Sequence, residues 1–225
     1  MEYNIHDVIL VQRLEDKLKF IEQVMALAYD AKVNFIDTLT TVRPWDIIIH
    51  NYLLEKKIVI PSQKEQKMDK ELVGGHVKEP NPGLYHWVVS FDLNSLYPHL
   101  IMQYNISPET LIEPDNYTPE MRRIISEGVS VDKLLNKEID LSGLKDVTLT
   151  PNGQFFRTDI QGFLPKMLEE MYVDRSKFKK MMLKSKQDYE NETDESKKYE
   201  IEKKIARYNN LQLAKKVSLN SAYGA

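Results

Sequence analysis

Apolar residues recur at spacings of three and four from Tyr3 to Ala31, at Val8, Val11, Leu14, Leu18, Ile21, Met25 and Ala28. That period predicts one amphipathic helix whose stripe must bury against another element. A second helical pattern runs from Arg43-Pro44-Trp45 to Leu54, with Pro44 suited to the first turn. The stretch KKIVIP (56–61) then reads as a short strand, and the polar run 62–75, ending in Gly74-Gly75, as a linker. From Leu84 the pattern turns β-prone: Trp87, Val88, Val89 and Phe91 predict a buried strand that stops at Asp92. Residues up to Asn152-Gly153 are rich in turn formers and predict an irregular insertion. The run TPNGQFFRTDIQGFLP (150–165) predicts a hairpin, with Phe155 and Phe156 ahead of a turn near Asp159.

From Pro165 to Lys216 no internal proline or glycine interrupts the chain. Two long helices are predicted, broken at 191–194, where Thr193 or Asp194 can cap the second. The connection is short, so the two lie antiparallel.

Composition refines this picture. The chain has 225 residues and a net charge of −3 from 31 basic and 34 acidic side chains. Residues 165–216 hold 14 of the basic and 10 of the acidic residues, leaving 17 and 24 elsewhere. A basic hairpin thus stands on an acidic body. The absence of cysteine excludes disulfides, a thiolate nucleophile and Cys-ligated zinc, so metal chemistry here must be carboxylate chemistry. The five histidines show no metal-ligand spacing, and no Walker loop, Rossmann fingerprint or Gly-x-Ser-x-Gly occurs. No signal peptide or membrane-length apolar run is present, and the chain reads as a soluble intracellular protein.

Asp92 is the sharpest candidate, because burying a carboxylate at a strand end costs several kcal/mol unless a cation compensates. The turn after it, Leu93-Asn94-Ser95-Leu96-Tyr97-Pro98, can turn backbone N–H groups toward an anion, although Asp92 is also compatible with capping a helix from Ser95. Arg175, Lys179 and Lys180 share a helix side with Tyr172. Lys216, Asn220 and Tyr223 share a face at the end of the second helix. An antiparallel pair brings both sets toward one end, where Arg, Lys and Tyr suit a triphosphate and a base, or else form a solvated basic face. Tyr3 and Asp7, four apart, can position a metal-bound water, or simply sit on a surface helix.

In order along the chain, SFDLNSLYP (90–98), YVDRSKFKK (172–180) and KVSLNSAYG (216–224) resemble motif A, the basic fingers helix and motif B of family B DNA polymerases, most closely those of T-even-type bacteriophages and relatives infecting cyanobacteria. VKEP, NISPET (105–110) and TPNGQFF support the resemblance. The fold it implies is α+β: a partial polymerase palm with a mixed or antiparallel sheet, an antiparallel two-helix fingers hairpin, and a helical remnant of an exonuclease domain. The implied divisions are 1–60 (exonuclease part), 61–83 (linker with the Gly-Gly turn), 84–163 (palm with motif A), 164–215 (fingers) and 216–225 (motif B).

The resemblance implies that Asp92, with the Leu93 carbonyl, binds Mg²⁺, two ions serving the complete enzyme. Ser95 and Leu96 would offer N–H groups to the incoming triphosphate, and Tyr97 would exclude a 2′-hydroxyl. Arg175, Lys179 and Lys216 would hold the β- and γ-phosphates, and Asn220, also nucleotide-binding, would form with Tyr223 the floor beneath the nascent base pair. Gly224 would join that floor, and Gly74 and Gly75 would lie near the template. Tyr3 and Asp7 resemble the third motif of the proofreading nuclease, with Asp7 a metal ligand.

The implied partners are primer-template DNA and deoxynucleoside triphosphates, in the cytoplasm of an infected host, with no membrane. Motif C, an Asp-Thr-Asp run carrying the second palm carboxylate, is not found in the sequence. The chain is therefore expected to be a central part of a polymerase, inactive alone, with a second polypeptide carrying motif C and the thumb as a possible partner. The other expectation is a non-catalytic nucleic-acid-binding or partner-binding module derived from a polymerase.

Overall fold

The computed structural model describes residues 2–40, 42–60 and 77–222, and side chains from Tyr3 onward. Helices dominate, and the described sheet has two strands, so the architecture is α+β with little β. The N-terminal apolar stripe does not form one helix. It forms α1 (Glu2–Leu18) and α2 (Phe20–Ala31), broken at Lys19, whose φ of 53° is left-handed. The Glu15 carboxylate accepts from the Ile21 N–H at 3.1 Å across this break. Of the two, α2 packs on the last helix. The stripe of α1 at Val8, Val11 and Leu14 stays exposed, contrary to the expectation of burial.

Helix α3 (Arg43–Glu55) starts with Pro44 in its first turn, as its pattern predicts. Residues 58–60 form no strand, nor do 87–91. Both departures have one physical cause: a strand's backbone groups are satisfied only by a neighbouring strand, and no described segment pairs with either. Trp87 is 99% exposed and left-handed at φ 59°, which no strand residue adopts. Val88, Val89 and Phe91 are exposed beside it.

Helix α4 (Leu96–Tyr104) follows directly. The insertion then folds around α5 (Pro119–Glu127), capped by Thr118 Oγ1 accepting from the Met121 N–H, and the short α6 (Val131–Leu135). Strands β1 (Val147–Leu149) and β2 (Phe155–Arg157) pair antiparallel in the register Val147 to Arg157 and Leu149 to Phe155. The hairpin turn is thus at Pro151-Asn152-Gly153, before the two phenylalanines, and not near Asp159. Gly153, at φ 83°, supplies the conformation that this turn requires. Met121, Ile124, Ile139, Leu149 and Phe155 form the core of this region. Tyr117 meets Phe155 edge to face at 5.1 Å.

Helices α7 (Phe163–Asn191) and α8 (Glu195–Ser221) are the predicted pair. Asp194 caps α8, its carboxylate accepting from the Ser196 N–H at 2.9 Å. Their antiparallel course brings Asp174 near Lys215 and Ser185 near Ile201. The bases of both helices enclose the second core, where Trp45 packs with Met167, Leu168, Met171 and Leu219. The Trp45 indole N–H is shared between the Ser218 carbonyl at 3.1 Å and the Ser221 hydroxyl at 2.9 Å. Among the described residues no helix is long and apolar enough to cross a membrane.

Candidate functional site

The chain enters the site through exposed residues 91–94 and turns at Ser95. Ser95 adopts a left-handed φ of 51°, a conformation that costs a non-glycine residue roughly 1–2 kcal/mol. It occupies the N-cap position of α4, yet its hydroxyl does not cap the helix. That hydroxyl accepts a hydrogen bond from the Arg175 guanidinium at 3.1 Å. The Ser95 carbonyl accepts from the His99 N–H at 3.1 Å and lies 2.9 Å from His99 Nδ1. The His99 ring meets Tyr172 edge to face at 4.8 Å. Tyr172 and Arg175, one turn apart on α7, therefore hold the start of α4 from one side.

Asn220 of α8 closes the other side. It lines an open hollow with Asp92, Leu93, Ser95, Leu96 and Tyr97. Residues four apart share a helix face, so Lys179 stands on the Arg175 side of α7 and Lys216 on the Asn220 side of α8. Both lysines are exposed, as are Asp92, Leu96 and Tyr97, while Ser95 and Arg175 are half-buried. The structure thus gathers Asp92, Leu93, Ser95, Leu96, Tyr97, Arg175 and Asn220, while Lys179 and Lys216 are exposed one turn away along α7 and α8. Tyr3 and Asp7 stand apart, exposed on α1. Gly74, Gly75, Tyr223 and Gly224 lie outside the described residues.

The far end of α4 is fixed as firmly as its start. Asn105, buried and left-handed at φ 55°, donates from Nδ2 to the carbonyls of Arg157 at 2.5 Å and Ile160 at 2.8 Å. Its Oδ1 accepts from the Gly162 N–H at 2.9 Å. Glu109 accepts from the Phe163 N–H at 2.5 Å, and Thr110 Oγ1 donates to the Asn105 carbonyl at 2.6 Å. Gly162 is required here, because a Cβ would fall 2.6 Å from the Ser107 Cβ. Residues 105–110 are therefore a joint between the α4 C-terminus and the α7 N-terminus. The stretch was visible in the sequence, but its role was not, since every partner lies more than fifty residues away or is backbone.

Behind the hairpin, Lys215 Nζ pairs with Asp30 of α2 at 2.8 Å and with Asp174 of α7 at 3.7 Å. Tyr52 of α3 lines the same depression. Burial, and then the charges of Glu170 and Glu109, push its phenol above the ordinary tyrosine value. Lys215 and Asp174 had no separate signal: each adjoins the more conspicuous Lys216 or Arg175.

A pair of divalent ions needs several hard oxygen ligands. Among the described residues no three Asp, Glu or His side chains converge on a common point. Asp92 and the Leu93 carbonyl are too few to hold an ion pair. The hollow is lined by the Asp92 carboxylate, by the hydrogen-bonding side chains of Ser95, Tyr97 and Asn220 and by apolar residues, with the Arg175 guanidinium bonded to Ser95 at its edge.

Residues 42–225 match the model of DNA polymerase family B, and the chain belongs to that family. It is 32% identical over 183 residues to the DNA-directed DNA polymerase of Escherichia phage RB69, a match covering 81% of this chain and 19% of that protein. Over 227 residues it is 30% identical to the DNA polymerase delta catalytic subunit of Candida albicans, covering 99% of this chain and 19% of the relative. The family B DNA polymerase structure from Pyrobaculum calidifontis superposes with a TM-score of 0.57 at 23% identity, covering 94% of this chain and 23% of that one. The chain spans about a fifth of the length of the curated relatives it matches.

Proposed function

We propose that this chain supplies the triphosphate-gripping side of a DNA-directed DNA polymerase site, for template-directed addition of deoxynucleotides to a primer 3′ end. The observation that carries this reading is the meeting of the Ser95–Tyr97 turn with Arg175 from α7 and Asn220 from α8. In that reading residues 84–163 begin the palm, 164–215 are the fingers, 216–225 return as motif B, and 1–60 with the linker 61–83 lead in from an exonuclease domain.

Arg175, Lys179 and Lys216 neutralise the β- and γ-phosphates, while the first-turn N–H groups of α4 receive a phosphate oxygen. Arg175 now donates to Ser95, so a triphosphate arriving there takes over a donor that is already aimed at the turn. Tyr97 borders the sugar and rejects a 2′-hydroxyl by its bulk. Tyr223 and Gly224 underlie the base pair, and Gly74-Gly75 approach the template strand. Mg²⁺, when bound in the complete enzyme, supplies charge neutralisation for the transfer. Asp92 contributes one carboxylate to that task and needs a second, as motif C would provide. These 225 residues by themselves are therefore expected not to extend primers. The nuclease carboxylate Asp7, with Tyr3, is likewise one part of a larger site.

The test is titration of the 225-residue chain with dATP and Mg²⁺ by calorimetry, beside primer extension. The expected result is measurable triphosphate binding, weakened in Arg175→Ala, Lys179→Ala and Lys216→Ala, without extension. Binding of DNA alone, with no triphosphate affinity, would favour the non-catalytic module instead. Extension by the chain alone would refute the claim that its carboxylate set is insufficient.

A further inference from the structure

Successive residues on an α-helix point about 100° apart. Two adjacent pairs in the hairpin exploit this. On α7, Arg175 turns to Ser95 while Asp174 turns to Lys215. On α8, Lys216 shares the face of Asn220, which lines the hollow, while Lys215 turns away to Asp30 and Asp174. Each helix therefore presents one charged residue to the proposed triphosphate and its neighbour to a common ion-paired cluster.

That cluster adds rotational information to what apolar packing supplies. Of the 27 residues of α8 only Ala214, Ser218 and Leu219 are buried, and two of those are small. Leu219 and the Trp45 indole N–H on Ser218 and Ser221 fix the last turn of the helix, and the Lys215 ion pairs add a polar restraint one turn earlier. The Lys215 and Asp30 side chains are 14% and 16% exposed and lie 2.8 Å apart, so this pair is far better shielded than surface pairs on the same hairpin such as Lys203–Glu200. It also ties α8 to α2, outside the hairpin, and so gives the rotation a fixed external reference.

We propose that Lys215 is a positioning residue: held by Asp30 and Asp174, it sets the rotation of α8 so that Lys216 and Asn220 face the Ser95–Tyr97 turn. The functional half of this statement rests on the triphosphate reading above; the rotational half stands on the ion pairs alone. Lys215 itself touches no substrate. Arginine can keep both contacts, whereas methionine keeps the length and loses both.

Trp45 provides a direct reporter, because its indole N–H is held by Ser218 and Ser221 of α8, whereas the other tryptophan, Trp87, is exposed. In ¹H–¹⁵N spectra of the whole chain, Lys215→Met is expected to shift the Trp45 indole signal and speed its solvent exchange at least ten-fold, leaving Trp87 unmoved. Lys215→Arg is expected to restore the wild-type signal. In parallel, the dATP–Mg²⁺ dissociation constant is expected to rise about ten-fold in Lys215→Met, about 1.4 kcal/mol, and to return within about three-fold in Lys215→Arg. An unmoved Trp45 signal in folded Lys215→Met overturns the rotational claim. A moved signal with unchanged triphosphate affinity overturns the link to binding. Absence of triphosphate affinity in the wild type overturns the reading of the site, while the Trp45 signal still decides the rotation.

Discussion

Replacing Asn105 with alanine removes three hydrogen bonds at once: two donated by Nδ2, to the carbonyls of Arg157 and Ile160, and one accepted from the Gly162 N–H. Each is worth about 0.5–1.5 kcal/mol net, with the Gly162 bond buried and the other two part-buried. Alanine must also hold the left-handed φ of 55°, where asparagine is tolerated and alanine pays roughly 1 kcal/mol or more. The expected loss is about 3–5 kcal/mol, a large share of the 5–15 kcal/mol typical of a folded domain. Asn105→Gly separates the two contributions, since glycine adopts the conformation freely. It should therefore lose about 1 kcal/mol less than Asn105→Ala. Urea denaturation followed by circular dichroism at 222 nm measures both. A loss below about 1 kcal/mol for Asn105→Ala, or glycine destabilising more than alanine, would refute the view of residues 105–110 as the joint between α4 and α7.

Three further outcomes follow from other parts of the fold. Leu168 is fully buried against Trp45 and Leu219, so Leu168→Ala should cost about 2–5 kcal/mol in the same urea measurement. Ser218 Oγ is buried and has no hydrogen-bond partner among the described residues, so Ser218→Ala should leave stability unchanged or raise it by up to about 1 kcal/mol. The Glu192 carboxylate accepts from the Asp194 and Thr193 N–H groups, which hold it below the ordinary glutamate value. A depressed folded value means that its contribution is complete above the unfolded value of about 4.3 and fades as pH falls through the folded one. Protection of the backbone amides at 193–196, relative to their intrinsic exchange rates, should therefore decline below about pH 4 in the wild type, and that decline should be smaller in Glu192→Gln.

The long helices were legible because some fifty residues without proline or glycine, a polar break and a capping Asp194 all agree. The strand at 87–91 was misread because β propensity records a preference that only neighbouring strands can realise, and no described segment supplies one. The α1 stripe misled for a related reason: periodicity shows which face is apolar, not whether a partner covers it. At the site, Asp92 to Tyr97, Arg175 and Asn220 were visible within the three stretches that resemble polymerase motifs. Those that hold them there were not. Asn105 acts through backbone groups remote in sequence, and Lys215 and Asp174 differ from their conspicuous neighbours only by a turn of 100° about the helix axis. Such a difference is geometric, and residue type alone does not carry it.

The proposed triphosphate site is tested most directly by photo-crosslinking the whole chain to 2-azido-dATP with Mg²⁺, then mapping the label by mass spectrometry. Label confined to peptides containing residues 92–97, 175–179 and 216–220, and displaced by excess dATP, is the predicted result. Label spread elsewhere, or unaffected by competing dATP, would contradict a triphosphate site built from the Ser95 turn, Arg175 and Asn220.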